Sequence, residues 1–490
     1  MSDRRQLWTA GPLVILTLIF LTYAPAAFAV VPASDFGASG EAPFQPRRVQ
    51  APQGPTDILN VDTGLSYPTI QDALDAAATL NGHTLEVTVA NHVEGQVSIT
   101  KDITLRGQAG SEVVSAGVDT GTSGDARGWF VVASGVTVNV HDLTFDGTGH
   151  LIFQGWRINS GASASFDSCS FQNMQYHPTG PEYAGTEIAT VVNITVDNCS
   201  FSGFGRVGIL FFGTGVTDGL AENSNFTGKG AGLHFDYGVE IGAGAHATVR
   251  DSFFTHHDGV VVPGSEESSC LNVNTYFGDG TDATVISNHL VSNFGGIQFG
   301  LDTDDTSTGT VHYNRIVGNS EGIDSKSQNP VDSEDNWFGC NAGPNQVGCD
   351  TSVGFEDSDP WLILRISANP TSIPPFGVSA ISSDLIMNSD AVDTSGGGAV
   401  PENTPATFAA TLGTVSPINE GTVAGTLATT FTAGGTLGTA TVSCTVDNQT
   451  VSTPIEIVQI EGEAIPMAGP LATGLLLLLL AGAGLWLLRR

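Results

Sequence analysis

Apolar and polar residues alternate with a period of two through most of this chain, in bursts of three to five residues broken by Gly, Asn, Asp and Ser. Such alternation puts one side of an extended strand on a core and the other toward water. In the middle of the chain the bursts repeat. One element reads Val-x-(Asp/Asn)-x-x-Phe, with copies ending on Phe145, Phe171, Phe201, Phe226 and Phe254 and weaker ones on Leu290 and Ile316. A second follows after a turn: Gly208-Ile-Leu-Phe, Gly238-Val-Glu-Ile, Gly259-Val-Val-Val, Gly296-Ile-Gln-Phe and Gly322-Ile-Asp. The anchors recur every 25 to 36 residues. One such unit cannot bury its apolar side alone, whereas stacked units can. The pattern therefore predicts a parallel β-helix with rungs about 4.8 Å apart, its variable spacing absorbed by loops at one corner. Antiparallel hairpins would need recurrent Asn-Gly or Asp-Gly turns, and these do not repeat here.

The flanks read differently. Ile70, Ala73, Leu74 and Ala77 fall at helical spacing behind Thr69, which fits an N-cap with Asp72 three residues on. A helix there would cover the open edge of the first rung. After Trp361 the chain turns to short alternating strands with Gly and Pro turns, the marks of a β-sandwich. At the N-terminus, Arg4 and Arg5 precede an apolar stretch and Ala27-Phe28-Ala29, the pattern of a signal peptide. At the other end, an uncharged run from Ile465 to Leu488 ends on Arg489-Arg490. About 20 apolar residues suffice to cross a bilayer, and the terminal arginines favour the cytoplasmic side. The expected order is signal peptide 1–29, linker 30–57, coil 58–361, sandwich 362–460 and C-terminal transmembrane segment 461–490.

Four stretches carry resemblances to three known families. The tail, with Ile465-Pro466 and Gly469-Pro470 before the apolar run, resembles the IPTL- and PEP-type sorting signals of Gram-negative bacteria. That resemblance implies export to the cell envelope or surface and a sorting protease as a partner. Tyr67 to Gly107 looks like the start of the pectate-lyase-like right-handed β-helix superfamily, and Asp335 to Pro344 like the segment that closes such helices in bacterial surface proteins. Residues 362–460 resemble bacterial Ig-like domains of the invasin and intimin type, which serve as spacers or adhesive units. The implied fold class is all-β: right-handed parallel β-helix, Ig-like β-sandwich and C-terminal transmembrane helix. The β-helix fold hosts lyases, hydrolases, adhesins and spacers alike, so it fixes no activity.

Charge narrows the choice. The net charge of −34 comes from only 16 Lys+Arg against 50 Asp+Glu. Nucleic-acid binding runs on Lys and Arg contacts to phosphate, so that partner class is excluded. Six cysteines in an exported chain can pair. Cys340 and Cys349, nine positions apart across a loop-forming stretch, are expected to form a disulfide. Cys169 and Cys199 hold the same position in successive repeats and are either bridged or stacked as buried thiols. Cys444 is expected to stay free in the sandwich core, and Cys270 has no legible partner.

Three clusters are candidates for chemistry: His234, Asp236 and Glu240; His256, His257 and Asp258; and Asp302, Asp304 and Asp305. The middle residue of each Gly-led strand points outward, so stacking lines up Leu210, Glu240, Val261, Gln298 and Asp324. Glu240 and Asp324 fall about 14 Å apart by rung count, too far for a carboxylate pair. His256 and Asp258, on a turn beside this face, are placed to reach Glu240 as acid and base. The lyase and polygalacturonase signatures are incomplete: Arg206, Arg250 and Arg315 are the few candidates for an arginine base, and Asp304-Asp305 with Arg315-Ile316 are fragments of a longer motif set. The reading is a surface protein that binds a polysaccharide or cell-surface glycan. Glu240, Gln298, Asp324 and His257 would contact sugar hydroxyls, and Tyr237 or Phe235 would stack on a ring. A lyase or glycoside hydrolase using His256, Asp258 and Glu240 is the second reading, and a structural envelope or biofilm component the third. No cofactor is required; calcium at Asp302, Asp304 and Asp305 is the one metal option.

Overall fold

The computed structural model describes residues 56–459 other than 177–183, 233, 263–265 and 302–304. The expected signal peptide, 1–29, and the expected transmembrane segment, 461–490, lie outside them. Among the described residues no helix is long and apolar enough to cross a membrane.

Three sheets, called A, B and C in the order the chain visits them, of 13, 9 and 10 strands, wind into a coil that is parallel except at the first edge of sheet A, where Ile58–Asn60 pairs antiparallel with Leu65–Tyr67 and with His83–Val87. One rung runs Thr137–His141 (A), Leu143–Asp146 (B) and Gln154–Ile158 (C), and each strand pairs in register with its counterpart one rung on. The repeat is explained position by position. Its third residue sits at the A–B corner and takes the left-handed conformation: Asp142, Ser168, Asn198, Asn223, Asp251, Ser287, Tyr313 and Asp335 have φ between 50° and 59°. Asn and Asp, five of these eight, tolerate that region best among side chains larger than Gly.

The fourth residue turns inward and links rungs. The backbone N–H of Cys169 donates to Cys199 Sγ at 3.4 Å, that of Cys199 to Ser224 Oγ at 3.1 Å, and that of Ser224 to Ser252 Oγ at 3.1 Å. Ser252, Asn288 and Asn314 continue the ladder to Asn288, Asn314 and Asn336 at 2.9–3.0 Å. Cys169 and Cys199 are therefore stacked thiols, not a disulfide. The sixth residue is the anchor: Phe145, Phe171, Phe201, Phe226 and Phe254 stack down the coil with centroids 5.5, 5.0, 4.6 and 4.5 Å apart. Gly208 and Gly238 sit where a Cβ would strike the Phe226 and Phe254 rings.

The coil's first edge is covered as its sequence suggests, by a helix α1 (Ile70–Asp75) whose N-cap Thr69 accepts from the Asp72 N–H. The helix is shorter than the apolar spacing implies, and Ala77 lies beyond it and exposed. Cys340 and Cys349 form a disulfide with Cα atoms 5.2 Å apart.

From Leu362 a four-stranded antiparallel sheet and a five-stranded sheet, antiparallel except where Ser372–Ile373 pairs parallel with Gln449–Ile457, form a sandwich. Thr426–Ala433 alternates strictly between exposed and buried residues, and Cys444 is a buried free thiol. The sandwich packs against the A–B corner of the last rungs. Arg315 makes a bidentate pair with Asp447, through Nε to Oδ2 at 3.0 Å and through Nη2 to Oδ1, and Trp337 Nε1 donates to Asp447 Oδ2 at 2.8 Å. Tyr313 and Trp337 belong to the sandwich's hydrophobic cluster rather than the coil's. This accounts for the one aromatic in the left-handed corner column: Gly397 and Gly398 pack on the Tyr313 ring.

Candidate binding face

The outward ladder exists, with one correction. Register pairs Val131, Arg157, Ala189, Leu210, Glu240, Asn272, Gln298 and Asp324 across sheet C. Val261 is not a member. Val260–Val262 leaves the coil as a short antiparallel hairpin with Glu266–Glu267, and the rung is completed by Ser269–Asn274. The Gly259-Val-Val-Val pattern matches the repeat locally but belongs to an insertion.

The ladder is also covered. Arg157, Ala189, Leu210, Glu240, Asn272 and Gln298 are all buried, because loops fold over the outer face of sheet C. Its early rungs form an apolar cluster with Phe153, Val207, Phe212 and Tyr237. Its later rungs form an amide network: Asn272 Nδ2 donates to Gln298 Oε1 at 2.9 Å, and Asn274 Nδ2 to Asn272 Oδ1 at 2.7 Å and Glu240 Oε1 at 3.4 Å. Burial pushes the Glu240 carboxyl up, opposed by Arg206 and Asn274. Asp324 lies at the more open end, 3.5 Å from Lys326 Nζ, with 19 % of its side chain exposed. Burial and the Asp324 and Glu267 charges push the neighbouring Glu321 carboxyl up.

The two histidine-bearing clusters of the sequence merge, though through different residues than the spacing suggests. Buried His257 Nδ1 lies 3.2 Å from buried Asp236 Oδ1. Asp236 Oδ2 also accepts the Lys229 N–H at 2.7 Å. Burial would raise the Asp236 carboxyl, but His257 and Lys229 outweigh it and hold it below the usual range. Lys229 donates through Nζ to the Gly205 and Phe235 carbonyls, and burial lowers it to about 7, with Asp236 opposing and Arg206 assisting. His256 is instead a left-handed corner residue, φ 62°, exposed, its Nδ1 3.0 Å from Thr255 Oγ1. Asp258, partly exposed, is raised by burial against the pull of His256 and His257. The structure thus groups Asp236, His257 and Asp258, while Glu240 is met by Arg206 and Asn274 rather than by His256.

Tyr237 is buried under the Arg206 guanidinium, which also lies 4.8 Å from the Phe235 ring centroid. An exposed aromatic among the described residues beside this sheet is Tyr276, whose N–H donates to Asn274 Oδ1 at 3.3 Å. Sequence reasoning missed it because it follows an irregular rung rather than occupying a repeat position. Of the calcium candidates, Asp302 and Asp304 lie outside the described residues. Asp305 Oδ2 and Oδ1 accept the Thr275 and Ser307 N–H groups at 2.7 and 2.8 Å, tying two rungs together. Among the described residues no three His, Cys, Asp or Glu gather as a metal site.

Residues 185–358 match the family described as right handed beta helix region. The match covers about a third of the chain and most of the candidate face. Two solved structures are similar over shorter spans. The D0-D1 domain of Intimin is 19% identical, covering 21% of this chain and 49% of that one, with a TM-score of 0.16. A C-terminal 282-residue fragment of intimin, in complex with the translocated intimin receptor's intimin-binding domain, is 24% identical, covering 19% of this chain and 32% of that one, with a TM-score of 0.15. The chain thus spans less than half the length of either structure. No curated protein matches the chain.

Proposed function

We propose that this is an exported, membrane-anchored bacterial surface protein whose coil binds an extended partner, a polysaccharide or cell-surface glycan. The observation that carries the reading is the junction. Arg315, Trp337 and Asp447 fuse coil and sandwich through a buried, bidentate contact, so force or orientation applied at one unit reaches the other. A binding surface held rigidly over an envelope suits adhesion. The contact region favoured is the later rungs of the sheet C ladder, where Tyr276, just past the Asn272 strand, offers a ring face and Asp324 and Lys326, two rungs on, offer polar groups beyond the buried Gln298. Glycan recognition uses such a mixture of one aromatic platform and a few convergent polar groups.

The enzymatic reading rests on one observation: Asp258 is partly exposed, its carboxyl raised by burial, next to two histidines. That is the environment of a general acid. Both readings meet one experiment, in which the chain is offered pectin, alginate and neutral glycans with and without calcium. Retention on a polymer that falls at least tenfold with Tyr276→Ala or Asp324→Ala, without new reducing or unsaturated ends, supports binding. Cleavage that disappears in Asp258→Asn overturns it in favour of the enzyme.

A further inference from the structure

The sandwich has two unlike ends. Strands of eight to eleven residues, such as Val378–Asn388 and Gln449–Ile457, run from the coil junction to the far end, a span of roughly 25 Å or more. Apart from Glu456, its charged side chains, including Arg365, Asp384, Asp393, Glu402 and Asp447, gather toward the junction. Residues 366–383, 403–419 and 421–446 carry no charge at all. In a chain of net charge −34, that is a marked local departure.

Three far-end loops converge. The Phe376 N–H meets the Gly434 carbonyl at 3.3 Å, and the Gly434 N–H meets the Leu412 carbonyl at 2.8 Å. On these loops Phe376 is 74 % exposed, Leu437 51 % and Leu412 38 %, with Val378 beside them at 58 %. Phe376 and Leu412 are moreover in the left-handed region, at φ 63° and 53°. Bulky residues seldom adopt it, and backbone held in sparsely populated regions concentrates at functional sites. Neighbouring apolar side chains that a fold leaves in water in this way mark interaction surfaces.

The chain itself indicates the partner. The final strand leaves the sandwich at this same end: Ile457 pairs with Gly438, the residue after Leu437, and the Val458 N–H donates to the Ile373 carbonyl at 3.0 Å, three residues before Phe376. Only six residues then separate Val458 from the uncharged run that begins at Ile465. Even fully extended, they span about 25 Å. If that run enters a bilayer, the apolar end is held at the bilayer surface.

We propose that Phe376, Leu412 and Leu437 form a membrane-contact tip on which the sandwich stands, their side chains at the boundary between headgroups and acyl chains. Interfacial binding of this kind grows with the apolar area it buries. Glu456, whose Oε1 accepts from Thr439 Oγ1 at 2.8 Å, is the tip's nearest described carboxylate and would face the headgroup layer. The proposal rests on the membrane-anchor reading above and adds that the folded part touches lipid.

The test uses the full chain reconstituted into phosphatidylcholine vesicles, carrying one introduced cysteine labelled with an environment-sensitive nitrobenzoxadiazole probe. The native cysteines are buried or in the disulfide, so the label reports the new site. The positions are Leu437→Cys and Phe376→Cys, with Phe355→Cys, 65 % exposed on the coil, as control. Expected are a blue-shifted emission at 437 and 376, quenching by lipids with a shallow nitroxide, and neither effect at 355. Water-like emission at 437 and 376 in protein that resists carbonate extraction would overturn the tip and leave the anchor standing. Extraction by carbonate would overturn the anchor and the tip with it. A blue shift that grows with protein concentration and is insensitive to the nitroxide would assign the tip to a second copy of the chain instead.

Discussion

Single residues inside the coil are decided by how many rungs they serve. Asn314 accepts from both the N–H and Nδ2 of Asn288 and donates through its own Nδ2 to the Val285 and His312 carbonyls and to Asn336 Oδ1. Asn314→Ala strands several buried partners at once, each costing about 1–3 kcal/mol when left unpaired. Urea unfolding is expected to show a loss of at least about 2 kcal/mol, while Asn225→Ala, on an exposed sheet B position, stays within about 0.5 kcal/mol. Glu187 is the opposite case. It occupies the sheet C position that holds Gly155 and Gly208 in the adjoining rungs, fully buried, with neither carboxylate oxygen held by another side chain. Burial pushes its carboxyl well up, against a weaker pull from the Ser202 amide. A carboxyl raised in the fold contributes stability only below its unfolded pKa and loses it as pH rises. Glu187→Gln is therefore expected to raise the melting temperature at pH 8 relative to pH 4, and equal shifts at both would show the carboxyl to be paired.

Elements depend on neighbours in the stack more than on their own propensity. Phe226 lies between Phe201 and Phe254 at 4.6 and 4.5 Å. Phe226→Ala should cost about 3–5 kcal/mol, and because each rung contacts mainly its neighbours, amide exchange should quicken in the adjoining strands before the ends. The N-terminal cap has a pH dependence of its own. Glu94 Oε2 accepts the Ile70 N–H at 2.6 Å and lies 3.0 Å from His92 Nε2, while Asp57 Oδ2 meets His92 Nδ1 at 3.1 Å. Burial disfavours the charged ring, but the two carboxylates outweigh it and raise the His92 pKa above 6.5. That contribution is complete below the unfolded pKa and is lost as pH rises through the raised value. Exchange protection at Ile70, corrected for the intrinsic rate, should fall between pH 6 and pH 9, and His92→Gln should flatten the change.

At the scale of the whole molecule, the junction governs whether coil and sandwich behave as one body. Arg315 and Asp447 are nearly buried, at 10 % and 5 % side-chain exposure. Removing one member of such a pair leaves an uncompensated buried charge, at a cost of about 3–5 kcal/mol. Arg315→Ala should split a single unfolding transition into two, with the sandwich and coil melting apart, a change visible by calorimetry. Acid should act on the same place. Burial and the nearby Arg315 charge lower His289 to about 4, and its Nε2 lies 3.2 Å from the Glu402 carbonyl. A histidine kept neutral in the fold stabilises it above its unfolded pKa. The junction should therefore weaken as pH falls from about 6.5 toward 4, and the two transitions should separate over that window.

The sequence by itself determined the coil, because a rung is a local object. The left-handed corner, the inward acceptor and the stacked ring fall at fixed offsets within six residues, so the repeat and its anchors such as Phe201 are legible without any partner being known, whereas the acceptor role of Cys199, open between disulfide and buried thiol in the sequence, is decided by the stacking. It likewise determined the Thr69 cap, the Cys340–Cys349 disulfide and the sandwich strands. The site was only partly legible. Glu240, Gln298 and Asp324 do share the outer ladder, but their burial depends on loops from other rungs, and Val261 was replaced by Asn272 because an inserted hairpin mimics the repeat. The pairing of His257 with Asp236, the docking of Tyr313 and Trp337 into the sandwich, and the meeting of Phe376, Leu412 and Leu437 join residues from separate segments of the chain. Periodicity reports which way a side chain points from its own strand. What waits there is set by chain that arrives from elsewhere, and only the tertiary structure decides that.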